Sequence, residues 1–144
     1  MATLYVTSTE TFSGKSALCI GLAKRMRRDG LSVGYLKPLS AGARLAAGLV
    51  DEDAEFFRQT LDLSDPIEDM APVGISPAIL EQYLKESDVT DFREKLRSAY
   101  ERIAKGRDAV ILEGGSSLRE GYAIGLPPFL VAQLLDARVL AIIH

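Results

Sequence analysis

A short loop near the amino terminus carries the residue types that bind a phosphate. Its sequence, T-E-T-F-S-G-K-S, matches G-x-x-x-x-G-K-[ST] everywhere except at the first glycine, which is replaced by threonine. Such a loop turns its backbone N–H groups toward the anion and ends at the positive N-terminus of a helix. Gly14 permits close backbone approach, Lys15 can reach the β- and γ-phosphates, and the Ser16 hydroxyl can ligand Mg²⁺. The predicted nucleotide-binding residues are Thr9, Glu10, Thr11, Phe12, Ser13, Gly14, Lys15 and Ser16.

Two carboxylates are candidates for a nucleotide-bound Mg²⁺. Glu113 ends the apolar run D-A-V-I-L-E, at the edge where open α/β sheets bind ligands, and Asp53 follows a loop rich in glycine and alanine. Mg²⁺ prefers oxygen ligands, so these two residues, Ser16 and phosphate oxygens would suffice. Simpler interpretations stay open. Glu113 could be a surface carboxylate at a strand end, and the acidic run 51–53 could only supply negative charge to a helix N-terminus.

A lysine closes the second predicted strand at the same edge. Lys37 stands immediately before Pro38, where it could stabilise charge on a transferring phosphoryl group or bind an anionic substrate. The alternative is an ordinary solvated lysine at a strand end. Lys37 and Lys15 are therefore the catalytic candidates.

The elements that must position these residues alternate between strands and helices. Apolar or β-branched runs predict strands over residues 3–8, 32–37, 108–113 and 138–143, with a weaker strand near 70–73. Helical patterns cover residues 15–28, 51–63, 77–86 and 88–105, and a short helix follows Pro128. Residues 39–50 lack a pattern and are predicted to form a mobile loop. This order predicts one α/β domain over residues 1–144, with a mostly parallel sheet covered by helices on both faces.

Composition excludes several classes of function. The chain has 144 residues, 47% hydrophobic and 26% charged, which suits one globular domain. Its net charge of −3 gives no electrostatic footprint for nucleic acid. One histidine, the terminal His144, and one cysteine, Cys19, argue against Ser-His-Asp catalysis, disulfides and cysteine-rich metal sites. No apolar run is long enough to span a membrane and no signal peptide is evident, so we expect a cytoplasmic protein.

Several motifs together resemble a known family. Ser8-Thr9-Glu10-Thr11 followed by Gly14-Lys15-Ser16 resembles the G-T-D-T…G-K-T loop of dethiobiotin synthetases, and the segment from Gly34 to Pro38 resembles their G-Y-x-K-P. Asp53 matches the family's aspartate after the loop, and Leu112-Glu113-Gly114 matches its V-E-G. The chain is most similar to the dethiobiotin-synthetase-like N-terminal domain of long phosphate acetyltransferases. Cobyrinic acid a,c-diamide synthases share the same P-loop core.

The resemblance implies a P-loop NTPase fold that binds ATP and Mg²⁺. Lys15 and Ser16 would hold phosphates and metal, Asp53 and Glu113 would hold Mg²⁺, and Lys37 would bridge nucleotide and substrate. In the family's enzymes ATP phosphorylates a carboxylate or carbamate oxygen, and an amine attacks the mixed anhydride. That chemistry needs positioning and charge neutralisation, which fits a site without histidine. Homodimers are expected by analogy alone.

Ser8 replaces the family's glycine before the loop, and the other departures from the family pattern lie in the substrate half. The hydroxyl that follows K-P is at Ser40, one residue early, and Ala41 takes its place, while G-A-G-G after the glutamate becomes Gly114-Gly115-Ser116-Ser117. These changes favour a nucleotide-binding regulatory module of a phosphate acetyltransferase-type protein. The alternative is a free-standing ligase or ATPase acting on a small carboxylate. Because a parallel strand such as 138–143 is usually interior, we also expect truncation at the C-terminal side of a longer parent.

Overall fold

The computed structural model describes residues 1–11, 13–45, 48–86 and 91–144. Eight strands occur in these ranges: β1 Ala2–Ser8, β2 Val33–Leu36, β3 Leu39–Ser40, β4 Ala43–Leu45, β5 Gly48–Val50, β6 Val73–Gly74, β7 Ala109–Glu113 and β8 Arg138–Ile142. The helices are α1 Lys15–Arg28, α2 Glu52–Thr60, α3 Ile67–Met70, α4 Pro77–Glu86, α5 Phe92–Ala104 and α6 Pro128–Leu134, with a 3₁₀ turn at Tyr122–Ile124. The alternation of strands and helices predicted from the sequence is confirmed.

The main sheet has four strands in the order β2-β7-β1-β8, and every pair is parallel. In its register Val6 of β1 lies opposite Glu113, the last residue of β7, and Leu36 of β2 lies opposite Leu112. The carboxyl ends of β1, β2 and β7 therefore meet at one edge. The loop after β1, the lysine after β2 and the glutamate that ends β7 all emerge there, as parallel strands require.

The core lies around β1 and β7, the two central strands of the main sheet, and around β2 beside them. All residues of β2 and β7 are buried, which means that both faces of the sheet are covered at these strands. The largest side chains in this core include Tyr35, Phe57, Leu96, Ile111 and Leu112. Cys19 of α1 is also fully buried, as expected for a small core residue, and burial raises the pKa of its thiol.

The prediction of a mobile, unpatterned loop over residues 39–50 is wrong for residues 39–45 and 48–50, which contain three short strands, and residues 46 and 47 lie outside the described part of the chain. β3 pairs with β6 in a parallel two-stranded sheet, and β4 pairs with β5 in an antiparallel one. Strands of two or three residues are too short to show a hydrophobic period, and their pairing is set by partners outside the local sequence. Leu39 and Ser40 of β3 are buried, so this segment is tied to the domain directly after Lys37.

The strand predicted over residues 138–143 is present as β8. Within the described residues it pairs only with β1 and lies at the edge of the sheet. Its side chains are largely exposed, and Val139 is 55% accessible. No helix among the described residues is both long and apolar enough to cross a membrane.

Candidate functional site

The N-terminus of α1 follows the loop after β1, and no side chain among the described residues accepts a hydrogen bond from its first backbone N–H groups. Gly14 precedes the helix in the left-handed conformation, at φ +82°, which a residue with a side chain rarely adopts. No side chain caps α1 and no acidic residue lies in its first turn. By contrast, α2 is capped by Asp51 and α5 by Asp91. The first turn of α1 therefore keeps its N–H groups and positive dipole end available for an external anion.

Lys15 lies in this first turn and is held toward the sheet edge. Its ammonium group donates to the Ser8 hydroxyl at 2.8 Å and to the Ser13 hydroxyl at 3.4 Å. Ser8 in turn donates to the carbonyl of Glu10 at 2.6 Å. Lys15 is buried, although no carboxylate pairs with it in the described part of the chain. A buried lysine that is held only by hydroxyls is well suited to receive a phosphate oxygen.

Ser16 and Tyr35 both donate to the carboxylate that ends β7. The Ser16 hydroxyl contacts Glu113 Oε1 at 2.5 Å, and the Tyr35 hydroxyl contacts Oε2 at 2.8 Å. Glu113 is only 2% exposed. Burial raises its pKa, the two hydrogen bonds act to lower it, and the net shift is upward. Tyr35 stays a proton donor near neutral pH, because burial and the Glu113 charge raise its pKa well above the usual value.

Lys37 lies between two carboxylates of the α2 N-terminus. Its ammonium nitrogen is 2.5 Å from Asp53 Oδ2 and 3.4 Å from Asp51 Oδ2. Burial opposes the charged lysine, but Asp51 and Asp53 outweigh it, so the pKa of Lys37 is raised. Lys37 is therefore a fixed cation rather than a solvated lysine.

These side chains surround one cleft of about 360 Å³. The phosphate loop and the start of α1 form one wall, and Gly114, Gly115 and Ser116 form another. Lys37, Asp53 and Glu113 also line it. The structure thus brings together the two lysines, the α1 N-terminus and the two carboxylates that were singled out from the sequence.

The donor set of this cleft fits a magnesium ion that is bound together with phosphate. Ser16, Asp53 and Glu113 offer oxygen atoms only, which is the chemistry that Mg²⁺ prefers. Among the described residues, no group of three or more histidine, cysteine or acidic side chains could hold a metal ion alone. Phosphate oxygens or water must therefore complete its coordination.

The remaining loop residues lie at a second, more open cleft of about 600 Å³ beside the first. Thr9, Glu10 and Thr11 line one side of it, and the segment from Ser116 to Arg119 lines the other. Thr11 and Ser116 border both clefts. The backbone N–H of Thr9 continues the ladder with Ile142 of β8 at 3.1 Å, so this group does not turn toward a ligand. Phe12, also predicted to bind the nucleotide, lies outside the described residues.

Three side chains of the site were not singled out from the sequence. Ser8 was noted only as a departure from a family glycine, and it accepts the bond from Lys15. Tyr35 was predicted to be part of a strand, and it donates to the Glu113 oxygen that Ser16 does not contact. Asp51 was read as helix-end charge, and it both caps α2 and contacts Lys37. Only Asp51, an N-cap residue type directly before a helix, left a signal in the sequence.

The parallel sheet, the loop after β1 and the lysine at the α1 N-terminus define an α/β domain of the P-loop NTPase fold. A family model described as an AAA domain, AAA_26, matches residues 2–144, and the chain belongs to this family of dethiobiotin synthetase-like domains. The resemblance inferred from the motifs is therefore confirmed.

Curated relatives of two kinds are similar to the chain. The ATP-dependent dethiobiotin synthetase BioD of Methanocaldococcus jannaschii is 30% identical over 121 residues, which cover 80% of this chain and 53% of that protein. The phosphate acetyltransferase of Pseudomonas aeruginosa is 28% identical over 144 residues, which cover 99% of this chain and 19% of that protein. The phosphate acetyltransferase of Pseudomonas putida is 25% identical over 142 residues. The chain thus spans about half the length of the synthetases and about a fifth of the acetyltransferases that it matches.

Proposed function

We propose that this domain binds Mg-ATP in the 360 Å³ cleft and serves as a nucleotide-binding regulatory module of a phosphate acetyltransferase-type protein. The observation that carries the binding is the convergence of Lys15, Ser16, Lys37, Asp53 and Glu113 on that cleft. Two cations and the uncapped α1 N-terminus would bind the polyphosphate, and the carboxylates with Ser16 would hold Mg²⁺. The bound metal would supply charge neutralisation for the phosphates.

The module is favoured over a ligase by the segment after Pro38. The Ser40 hydroxyl is fully buried and donates to Asp51, so it does not face the cleft. Ala41 lines the cleft instead and presents a methyl group where the family's substrate-contacting hydroxyl would lie. The alignments to two phosphate acetyltransferases, which are 28% and 25% identical and cover 99% of this chain, also support a parent of that kind.

The second candidate is an ATP-dependent ligase or ATPase that activates a small carboxylate. It is favoured by Lys37, whose ammonium is buried at the cleft and held by two carboxylates, where it would stabilise charge on a transferring phosphoryl group. The match to dethiobiotin synthetases agrees with this candidate. A cytoplasmic location, a homodimer and a single domain over residues 1–144 within a longer parent remain part of the proposal.

Calorimetric titration with Mg-ATP tests the binding. We expect heat with the unchanged protein, none with Lys15→Ala, and normal affinity with Lys24→Ala, an exposed lysine of the same helix. Unchanged affinity of Lys15→Ala for Mg-ATP would disprove the assignment of this site.

The two candidate functions differ in turnover. A module should hydrolyse ATP slowly and change the rate of an attached or added acetyltransferase. A ligase should release ADP faster when a small carboxylate and an amine are added.

A further inference from the structure

We propose that Asp51 is a positioning residue for Lys37. Asp51 keeps the lysine ammonium at the cleft when the Asp53 carboxylate turns to a metal ion. The inference rests on the proposed binding of Mg-ATP, and it assigns different tasks to the two acidic residues that Lys37 contacts.

The two carboxylates differ in how firmly they are held. The Asp51 side chain is 2% exposed, accepts the backbone N–H of Ala54 at 2.9 Å, and accepts the Ser40 hydroxyl. The Asp53 side chain is 45% exposed, and Lys37 is its polar partner within the described residues. Asp51 is therefore fixed by its surroundings, whereas Asp53 can rotate at the cost of one ion pair that is partly open to solvent.

The charge of Lys37 explains why a fixed partner is needed. Asp53 Oδ2 is the atom that binds the lysine, so a cation that is ligated by this carboxylate competes with the ammonium for its negative charge and weakens that ion pair. The Lys37 side chain is only 12% exposed, and a buried ammonium without a partner carries a large desolvation penalty. Asp51, at 3.4 Å, remains beside it. Lys37 then stays at the cleft with one carboxylate neighbour and can donate a hydrogen bond to a phosphate oxygen as its second anionic neighbour.

The two oxygens of Asp51 allow its two tasks to be separated. Oδ1 caps α2 through Ala54, while Oδ2 faces Lys37 and Ser40. Asp51→Asn can keep the cap with its amide oxygen but directs N–H groups toward Lys37, where a donor meets a donor. Asp51→Ser keeps a residue that caps helices well and removes the carboxylate altogether. Asp91→Asn is the matched control, because Asp91 caps α5 at an exposed position.

The test compares the affinities of the 144-residue protein for Mg-ATP and Mg-ADP by calorimetry. If Lys37 serves the terminal phosphate, Asp51→Asn should lower the preference for ATP over ADP by about tenfold, the order of one charge-assisted hydrogen bond. Lys37→Met should lower the same ratio, and adding Asp51→Asn to Lys37→Met should not lower it further. Asp91→Asn should leave the ratio unchanged.

A purely structural role of Asp51 would give a different result. Equal losses of ATP and ADP affinity, an unchanged ratio, or additive losses in the double variant would overturn the proposal. If Asp51→Asn does not fold, Asp51→Ser carries the same comparison. If the unchanged protein binds neither nucleotide, the proposed function itself fails. If the unchanged protein binds Mg-ATP and the Asp51 variants keep the same ratio of ATP to ADP affinity, only the positioning role is disproved.

Discussion

The hydroxyl of Ser16, in the first turn of α1, donates to the carboxylate of Glu113, at the end of β7, although 97 residues separate them in the chain. This contact joins the start of α1 to the edge of the sheet. Tyr35 donates to the other oxygen of the same carboxylate. Glu113 is therefore aimed at the cleft by two hydroxyls, in a site where burial opposes its charge.

Glu113→Gln should stabilise the protein while it removes metal-dependent nucleotide binding. The substitution removes a buried charge, and the amide can keep hydrogen bonds with both Ser16 and Tyr35. We expect the free energy of unfolding to rise by about 1 kcal/mol without nucleotide or Mg²⁺, as buried charges are costly. Denaturant unfolding measures the gain, and calorimetry with and without Mg²⁺ measures the loss.

Glu101→Gln is the control for this prediction, because Glu101 is exposed on α5. It should change neither quantity. A clear loss of stability in Glu113→Gln would show that the charge itself holds the fold together.

The stability of the ligand-free protein should depend on pH through Glu113. Its folded-state pKa is raised, so the folded state binds this proton more tightly than the unfolded state does. The contribution of this bound proton to the stability of the folded protein is fully present below the ordinary carboxyl pKa of 4.5, and it is lost as pH rises through the raised pKa. The stability advantage of Glu113→Gln should therefore grow over that interval. Unfolding curves of both proteins at a series of pH values test this, and a constant difference would contradict it.

Tyr35→Phe should destabilise the protein by about 1.5–3 kcal/mol, because it leaves one oxygen of a buried carboxylate without its donor. The ring can still stack on Phe57, whose centroid is 3.7 Å away, so the loss reports on the hydroxyl. Tyr100→Phe is the control. Its hydroxyl bonds the neutral Thr3 side chain at 2.6 Å, and its removal should cost only about 0.5–1.5 kcal/mol. Thermal denaturation compares the two. Equal losses would mean that the Glu113 charge is not sensed by Tyr35.

Gly121→Ala should destabilise the protein by about 2–3 kcal/mol through backbone strain and a close contact. Gly121 has φ +81°, and an added Cβ would lie 2.0 Å from the carbonyl oxygen of Leu126 and 2.7 Å from Leu39, which lines the cleft. Gly21→Ala is the opposite case. Gly21 is an exposed residue of α1 with open space around it, and alanine there should stabilise by about 0.5–1 kcal/mol. Melting temperatures that move in the same direction for both variants would contradict this contrast.

The sequence predicted the parallel sheet and the placement of Lys15, Lys37 and Glu113 because each follows from local pattern. Long helices and apolar strands show their period over many residues, and parallel strands bring their carboxyl ends to one edge. The helix boundaries were less well predicted, since residues 51–63 give a helix only over Glu52–Thr60, with Asp51 as its cap. The short pairs β3–β6 and β4–β5 were missed because two or three residues carry no period.

The amino-acid order alone determined that a phosphate loop lies between a strand and a helix, because that motif is contiguous in the chain. Only the tertiary structure decided which side chains support it. Tyr35 donates to Glu113, which is 78 residues away in the chain, and Ser8 accepts a hydrogen bond from Lys15. Lys37 is held by Asp51 as well as by Asp53. Such pairings depend on strand register, burial and side-chain direction. These arise only when the strands pack side by side, and no local sequence pattern encodes them.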